Sequence, residues 1–127
     1  MRVVTRSDMD GLVCAVLLKE VESIDEITFV HPKDVQDGKV EITQEDILTN
    51  IPYDPRCGMW FDHHSSEATR TENIENFKGA IEIAPSAARV IYNYYEGKKK
   101  LERFEKLLND VDAIDSASLT MDQIANP

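Results

Sequence analysis

The apolar positions of this chain fall into short runs separated by polar turns. Arg2-Val3-Val4-Thr5, Glu26-Ile27-Thr28-Phe29-Val30, Asp46-Ile47-Leu48-Thr49-Asn50-Ile51, Met59-Trp60-Phe61 and Ala80-Ile81-Glu82-Ile83 each read as a strand. All are a few residues long, and most are rich in β-branched or aromatic side chains. After the first strand, Leu12 to Val21 is apolar at 12, 13, 15, 16, 17, 18 and 21, which predicts a largely buried helix. Ala87 to Glu96 sets Ala87, Ala88, Val90, Ile91, Tyr94 and Tyr95 on one helical face, with Pro85 or Ser86 at its start and Gly97 closing it. Lys98 to Ile114 carries Leu101, Phe104, Leu107, Leu108 and Val111 at helical spacing and predicts one long final helix. His31-Pro32 ends the second strand, because proline has no N–H for the ladder. Residues 35–43 read as irregular around an Asp37-Gly38 turn, 53–58 as a tight loop, and 65–76 as an exposed polar loop or short helix.

Strands that alternate with helices imply an α/β protein with an open, mostly parallel (Rossmann-like) sheet and helices on both faces. Ligands of such sheets bind outside the carboxyl ends of the strands. The residues just after each strand are therefore where chemistry is expected.

Bulk properties narrow the picture. The 127 residues suit a single domain, 1–127, and a 42% hydrophobic, 30% charged composition is that of a globular protein. No apolar run approaches the ~18 residues of a membrane span, so no membrane partner is expected. Polar Arg6-Ser7-Asp8 follows the first apolar residues too closely for a secretory leader, and the expected compartment is cytoplasmic. Cys14, in an apolar run, reads as a small core residue and Cys57 as a loop thiol, with a disulfide disfavoured. A net charge of −10 argues against a long nucleic-acid track. It does not argue against a phosphoester, because carboxylates holding a divalent metal reverse the local sign.

Two clusters follow strands. Asp8 and Asp10, in Ser7-Asp8-Met9-Asp10-Gly11, are carboxylates one residue apart that can reach different members of a metal pair. A plainer reading makes Asp10 a helix cap and leaves Asp8 solvated. Asp62-His63-His64 holds two of the three histidines at the end of the fourth strand. An imidazole there can ligate Mn, Fe, Co or Zn, and its neighbour can contact a phosphate oxygen; the plainer reading is a polar loop. Asp110, Asp112 and Asp115 gather at the end of the last helix, where carboxylates are unfavourable without a cation. Lys98-Lys99-Lys100 with Arg103 reads as a solvated helix start, and His31 as structural or exposed.

Together these motifs resemble the DHH phosphoesterases, a family that includes RecJ-type exonucleases, family II pyrophosphatases, oligoribonucleases, cyclic-dinucleotide phosphodiesterases and exopolyphosphatase-like proteins. Arg6-Ser7-Asp8-Met9-Asp10-Gly11 is similar to the family's first motif, His-x-Asp-x-Asp-Gly, and Asp62-His63-His64 matches the naming motif. Ala84-Pro85-Ser86-Ala87-Ala88 resembles the helix start that follows it, and Asp112-Ala113-Ile114-Asp115-Ser116-Ala117 the last acidic motif. The resemblance implies a divalent-metal-dependent phosphoesterase that hydrolyses a phosphodiester or phosphoanhydride by metal-activated water, with one or two Mn or Mg ions. Asp8 would hold one metal; Asp10, His63 and Asp115 the other. Asn50, at the third strand's end, stands where the family has a bridging aspartate, with Asp46 and Asp54 nearby but less well in register. His64 would contact the scissile phosphate, and Asp62 and Arg6 complete the candidate catalytic set.

Arg6 replaces the family's leading histidine and cannot ligate metal, and Asn50 offers only a neutral oxygen. Three outcomes stay open: a one-metal site, Arg6 as a phosphate clamp, and a degenerate domain that binds a phosphate-containing ligand without turnover. The implied partners are a phosphate-containing small molecule, polyphosphate or a short oligonucleotide, and a homodimer is compatible with the pattern. The chain stops just after the last acidic motif, so the expectation is an N-terminal DHH domain without the C-terminal substrate-binding domain that members carry. Asp8-Met9-Asp10-Gly11 also resembles the haloacid-dehalogenase phosphatases, with Asp8 as nucleophile. Polar Arg6-Ser7 interrupts the apolar strand that family needs, and no convincing lysine motif follows.

Overall fold

A computed structural model describes residues 1–64 and 77–114. Five parallel strands make one sheet: β1 (Arg2–Arg6), β2 (Glu26–Val30), β3 (Asp46–Thr49), β4 (Met59–His64) and β5 (Gly79–Ile83), in the order β2-β1-β3-β4-β5. The α/β reading holds, and all five strand positions agree with the apolar runs.

Alternation along the strands separates two cores. Val3, Ile47, Met59 and Phe61 face a layer built by helix α1 (Met9–Val21), helix α3 (Ala87–Tyr94) and a last helix over 105–114, which adds Leu108 and Val111. Val4, Leu48 and Trp60 face the other way, toward Val35 of the short helix α2 (Pro32–Gln36) and toward Ile42, Ile51 and Tyr53 from loops. Helices therefore lie on both faces, but the second face is covered mainly by loops. Trp60 anchors that cover: its indole N–H donates to the Ile51 carbonyl at 2.8 Å. Among the described residues, no helix is long and apolar enough to cross a membrane.

Three local readings are corrected. Helix α1 begins at Met9, three residues before the apolar run, because Asp8 rather than Asp10 is its cap and accepts from the Gly11 N–H at 2.7 Å. Residues 32–36, at the edge of the stretch read as irregular, form α2, whose cap is His31: its Nδ1 accepts from the Lys33 N–H at 3.1 Å. The final helix is not continuous. A single turn α4 (Gly97–Lys100) and a 3₁₀ turn (Glu102–Phe104) precede the helix over 105–114. At the break Leu101 is fully buried, and its N–H closes back on the Gly97 carbonyl at 2.6 Å.

Candidate active site

The strand order reverses between β1 and β3, since the chain passes from β1 out to β2 and then returns across β1 to β3. A crevice opens at such a point at the carboxyl ends of the strands. Two polar rungs join the strands there. Lower down, the buried Thr49 hydroxyl donates to the Thr5 hydroxyl at 2.7 Å, and Thr5 reaches on to the Gly11 carbonyl at 3.2 Å. Above it, Asn50 Nδ2 donates to both carboxylate oxygens of Asp8, at 3.1 and 3.2 Å.

Asn50 sits in the left-handed region at φ 58, a conformation asparagine tolerates better than most residues. Its N–H donates to the Phe61 carbonyl at 3.0 Å, so β4 holds it in that turn. Arg6 Nε lies 3.5 Å from Asp8 Oδ2, and both side chains are exposed. Asp8 therefore carries a cap, an amide and a guanidinium on one carboxylate.

Asp10 is almost wholly buried, at 1% exposure, and points away from Asp8's partners toward α3. Its oxygens accept the N–H groups of Ala87 and Ala88, each at 2.9 Å. These are orphan donors of the first turn of α3, where the helix dipole favours an anion. The Ser86 hydroxyl caps the same turn by accepting from the Arg89 N–H at 3.1 Å. Cys14 donates weakly to Asp10 at 3.7 Å, and burial, with Asp10's charge second, pushes its thiol well above the ordinary range. Cys14 is thus a protonated core residue and no nucleophile.

His63 completes this arm. Its Nδ1 lies 3.0 Å from the Ala84 carbonyl, which can only accept, so Nδ1 carries a proton and, in the neutral ring, Nε2 keeps its lone pair. That Nε2 lies 3.7 Å from Asp10 Oδ2, too far for a hydrogen bond. A carbonyl behind the far ring nitrogen is the usual support of a metal-ligating histidine. Asp62 Oδ1 accepts from the His63 N–H at 2.8 Å, a local bond within the last residues of β4.

The acidic group on the last helix has a structural explanation for one member. Asp112 accepts from the Ser86 hydroxyl at 2.6 Å and from Arg89 Nε and Nη2 at 2.9 and 2.8 Å. The cation missing from that helix end is Arg89. Nothing in the sequence separation of 23 residues pointed to this pair, although an arginine in the first turn of α3 is a readable oddity. Asp115 lies outside the described residues. Asp46 is at the opposite edge of the sheet, clamped by Arg2 at 2.9 and 2.8 Å. Asp54 is pinned by Arg56, whose hydrogen bonds hold its carboxyl below the ordinary value.

Among the described residues, no three of His, Cys, Asp and Glu converge into a metal set. The donor chemistry of the Asp10–His63 pair nonetheless fits a divalent ion: one carboxylate and one imidazole nitrogen held with its lone pair outward. Asp8 fits less well, because an amide and a cation already occupy it.

No family model matches the chain, and no curated protein matches it. Among solved structures, it is similar to the pGpG-specific phosphodiesterase PggH of Vibrio cholerae, at 48% identity and a TM-score of 0.75. The likeness takes in 98% of this chain and 40% of that one, so the chain spans well under half of the phosphodiesterase that it matches.

Proposed function

We propose that the chain is the metal-dependent catalytic domain of a DHH-type phosphodiesterase acting on a short phosphodiester such as a 5′-phosphorylated dinucleotide. The observation that carries the reading is the Asp10–His63 pair. A buried carboxylate and an oriented imidazole meet at the carboxyl edge of the sheet, in a chain 48% identical to part of a phosphodiesterase.

The two arms of the site divide the work. Asp10 and His63, with Asp115 as the expected third donor, hold one Mn or Mg ion. Such an ion supplies a Lewis acid and a lowered pKa for water. On the other arm, Arg6 and Asn50 stand in for the second ion. The guanidinium of Arg6 binds a phosphate oxygen as a fixed cation, and Asn50 keeps Asp8 aimed at the crevice. His64, one residue beyond His63 on β4, hydrogen-bonds the scissile phosphate, while Asp62 braces the strand end that carries both histidines.

Turnover of pGpG with Mn, beside elemental analysis of the loaded protein, tests this. One ion per chain and hydrolysis to mononucleotides are expected, with His63→Ala losing at least about 100-fold in activity. Absence of turnover with every divalent metal would leave the second reading, a phosphate-binding domain without catalysis, favoured by Arg6 and Asn50.

A further inference from the structure

One pocket, of about 510 Å³, is left unused by this site. It straddles the carboxyl ends of β1 and β2, where Arg6 is in register with Val30, and its walls include Arg6, Phe29, Val30, His31, Pro32 and Asp34. The volume lies in the range of small-molecule sites. Arg6 lies in the pocket wall and also 3.5 Å from Asp8, so the pocket opens directly beside the proposed phosphate site.

Resting on the phosphodiesterase reading, we infer that this pocket is a subsite for a guanine base of the substrate. The wall chemistry is what selects the base. Phe29, though 47% exposed on an edge strand, offers a ring face beside Pro32 and Val30 on which a base can stack. His31 spends Nδ1 as acceptor in capping α2, so Nε2 carries the proton and is a donor. Arg6 supplies further donors. The half-buried Asp34 carboxylate accepts no hydrogen bond from any described side chain or backbone.

Donors beside one anionic acceptor are the complement of guanine, which has acceptors at O6 and N7 and donors at N1 and N2. Adenine and cytosine turn a ring-nitrogen acceptor toward the carboxylate, and uracil flanks its single donor with carbonyls. The same carboxylate repels a free phosphate, which makes the pocket a base site rather than a second anion site.

Two measurements test the inference. Calorimetric titration of the metal-free protein with GMP and AMP reads base preference without turnover. GMP is expected to bind about tenfold or more tighter than AMP, and Asp34→Asn to erase the difference. With Mn present, the ratio of kcat/KM for pGpG to that for base-free bis(p-nitrophenyl) phosphate is expected to fall about tenfold or more in Phe29→Ala and in Asp34→Asn. Equal binding of GMP and AMP, or a preference and a ratio unmoved by both substitutions, overturns the guanine subsite. No turnover of either diester, with the GMP preference intact and sensitive to Asp34→Asn, overturns the catalytic reading alone. Phe29 is exposed and Asp34 half-buried, and circular dichroism confirms that the variants are folded.

Discussion

Asp10 of α1 is tied to Ala87 of α3 by a 2.9 Å hydrogen bond from backbone to carboxylate, and the next N–H, that of Ala88, takes its other oxygen. One side chain therefore starts a helix that lies 77 residues away in sequence. Asp10→Ala leaves two buried donors unpaired, and an unpaired buried donor costs ~1–3 kcal/mol. The unfolding free energy is expected to fall by about 3 kcal/mol, read from the urea midpoint. Asp10→Asn, which keeps an acceptor, should lose about half of that. An unchanged midpoint in both variants would show that the bonds carry no stability.

Asn50→Asp restores a carboxylate 3.1–3.2 Å from Asp8's oxygens. Without metal, two like charges meet and stability is expected to fall by ~1 kcal/mol, partly offset by Arg6. With Mn in excess the loss should reverse and the bound ions rise from one to two per chain. Calorimetry with and without Mn reads both. A stoichiometry still at one would count against Asn50 as the residue that excludes the second ion.

Gly11 permits the close seat of α1 on β1. A Cβ there would come within 1.9 Å of the Arg6 carbonyl oxygen and 2.8 Å of Thr5 Oγ1. Neither can retreat, since Arg6 is in the ladder and Thr5 is bonded to Thr49. Gly11→Ala is expected to cost about 2 kcal/mol or more in thermal unfolding. It should also lower the proposed phosphodiesterase activity, because Arg6 and Asp8 must shift with the strand end. A variant as stable and active as the parent would refute the contact.

Burial, then the charge of Asp54, raises the Cys57 thiol from an ordinary 9.0 to about 11. The folded state therefore binds more proton than the unfolded state between those values, so stability falls as pH rises. The stabilising difference is fully present below pH 9.0 and is lost as pH climbs toward about 11. Cys57→Ala should flatten the stability curve in that window. Slow alkylation of Cys57 at pH 8 is the companion expectation, and rapid alkylation would contradict the raised value.

β1, β3 and β4 were legible because each places adjacent residues into two different cores, as Val3 and Val4 do, which yields short continuous apolar runs. The two clusters of the site were legible because a parallel sheet sends all strand ends to one edge. What each carboxylate does there was not. Asp8 and Asp10 differ by two positions in a helix start, and only tertiary structure decides that Asp10 is buried against α3 and Asp8 is shared with Asn50 beyond β3. The break at Leu101 was hidden because its apolar spacing continues that of Leu108 and Val111, which are as deeply buried on an unbroken helix. Ser86 could be read as a cap, but its partner Asp112 could not, since that bond joins two helix ends whose approach no local pattern encodes.

The double role of Asp10 bears on how a substrate complex should be captured. A chain disabled at Asp10 would lose its grip on α3 along with its proposed metal ligand, and a ligand soaked into it would meet a loosened crevice. His63 is anchored to the Ala84 carbonyl through Nδ1 and makes no bond to a helix start among the described residues, so its removal leaves the start of α3 in place. The folded but inert trap is therefore to be built on β4, and Asp10 left untouched.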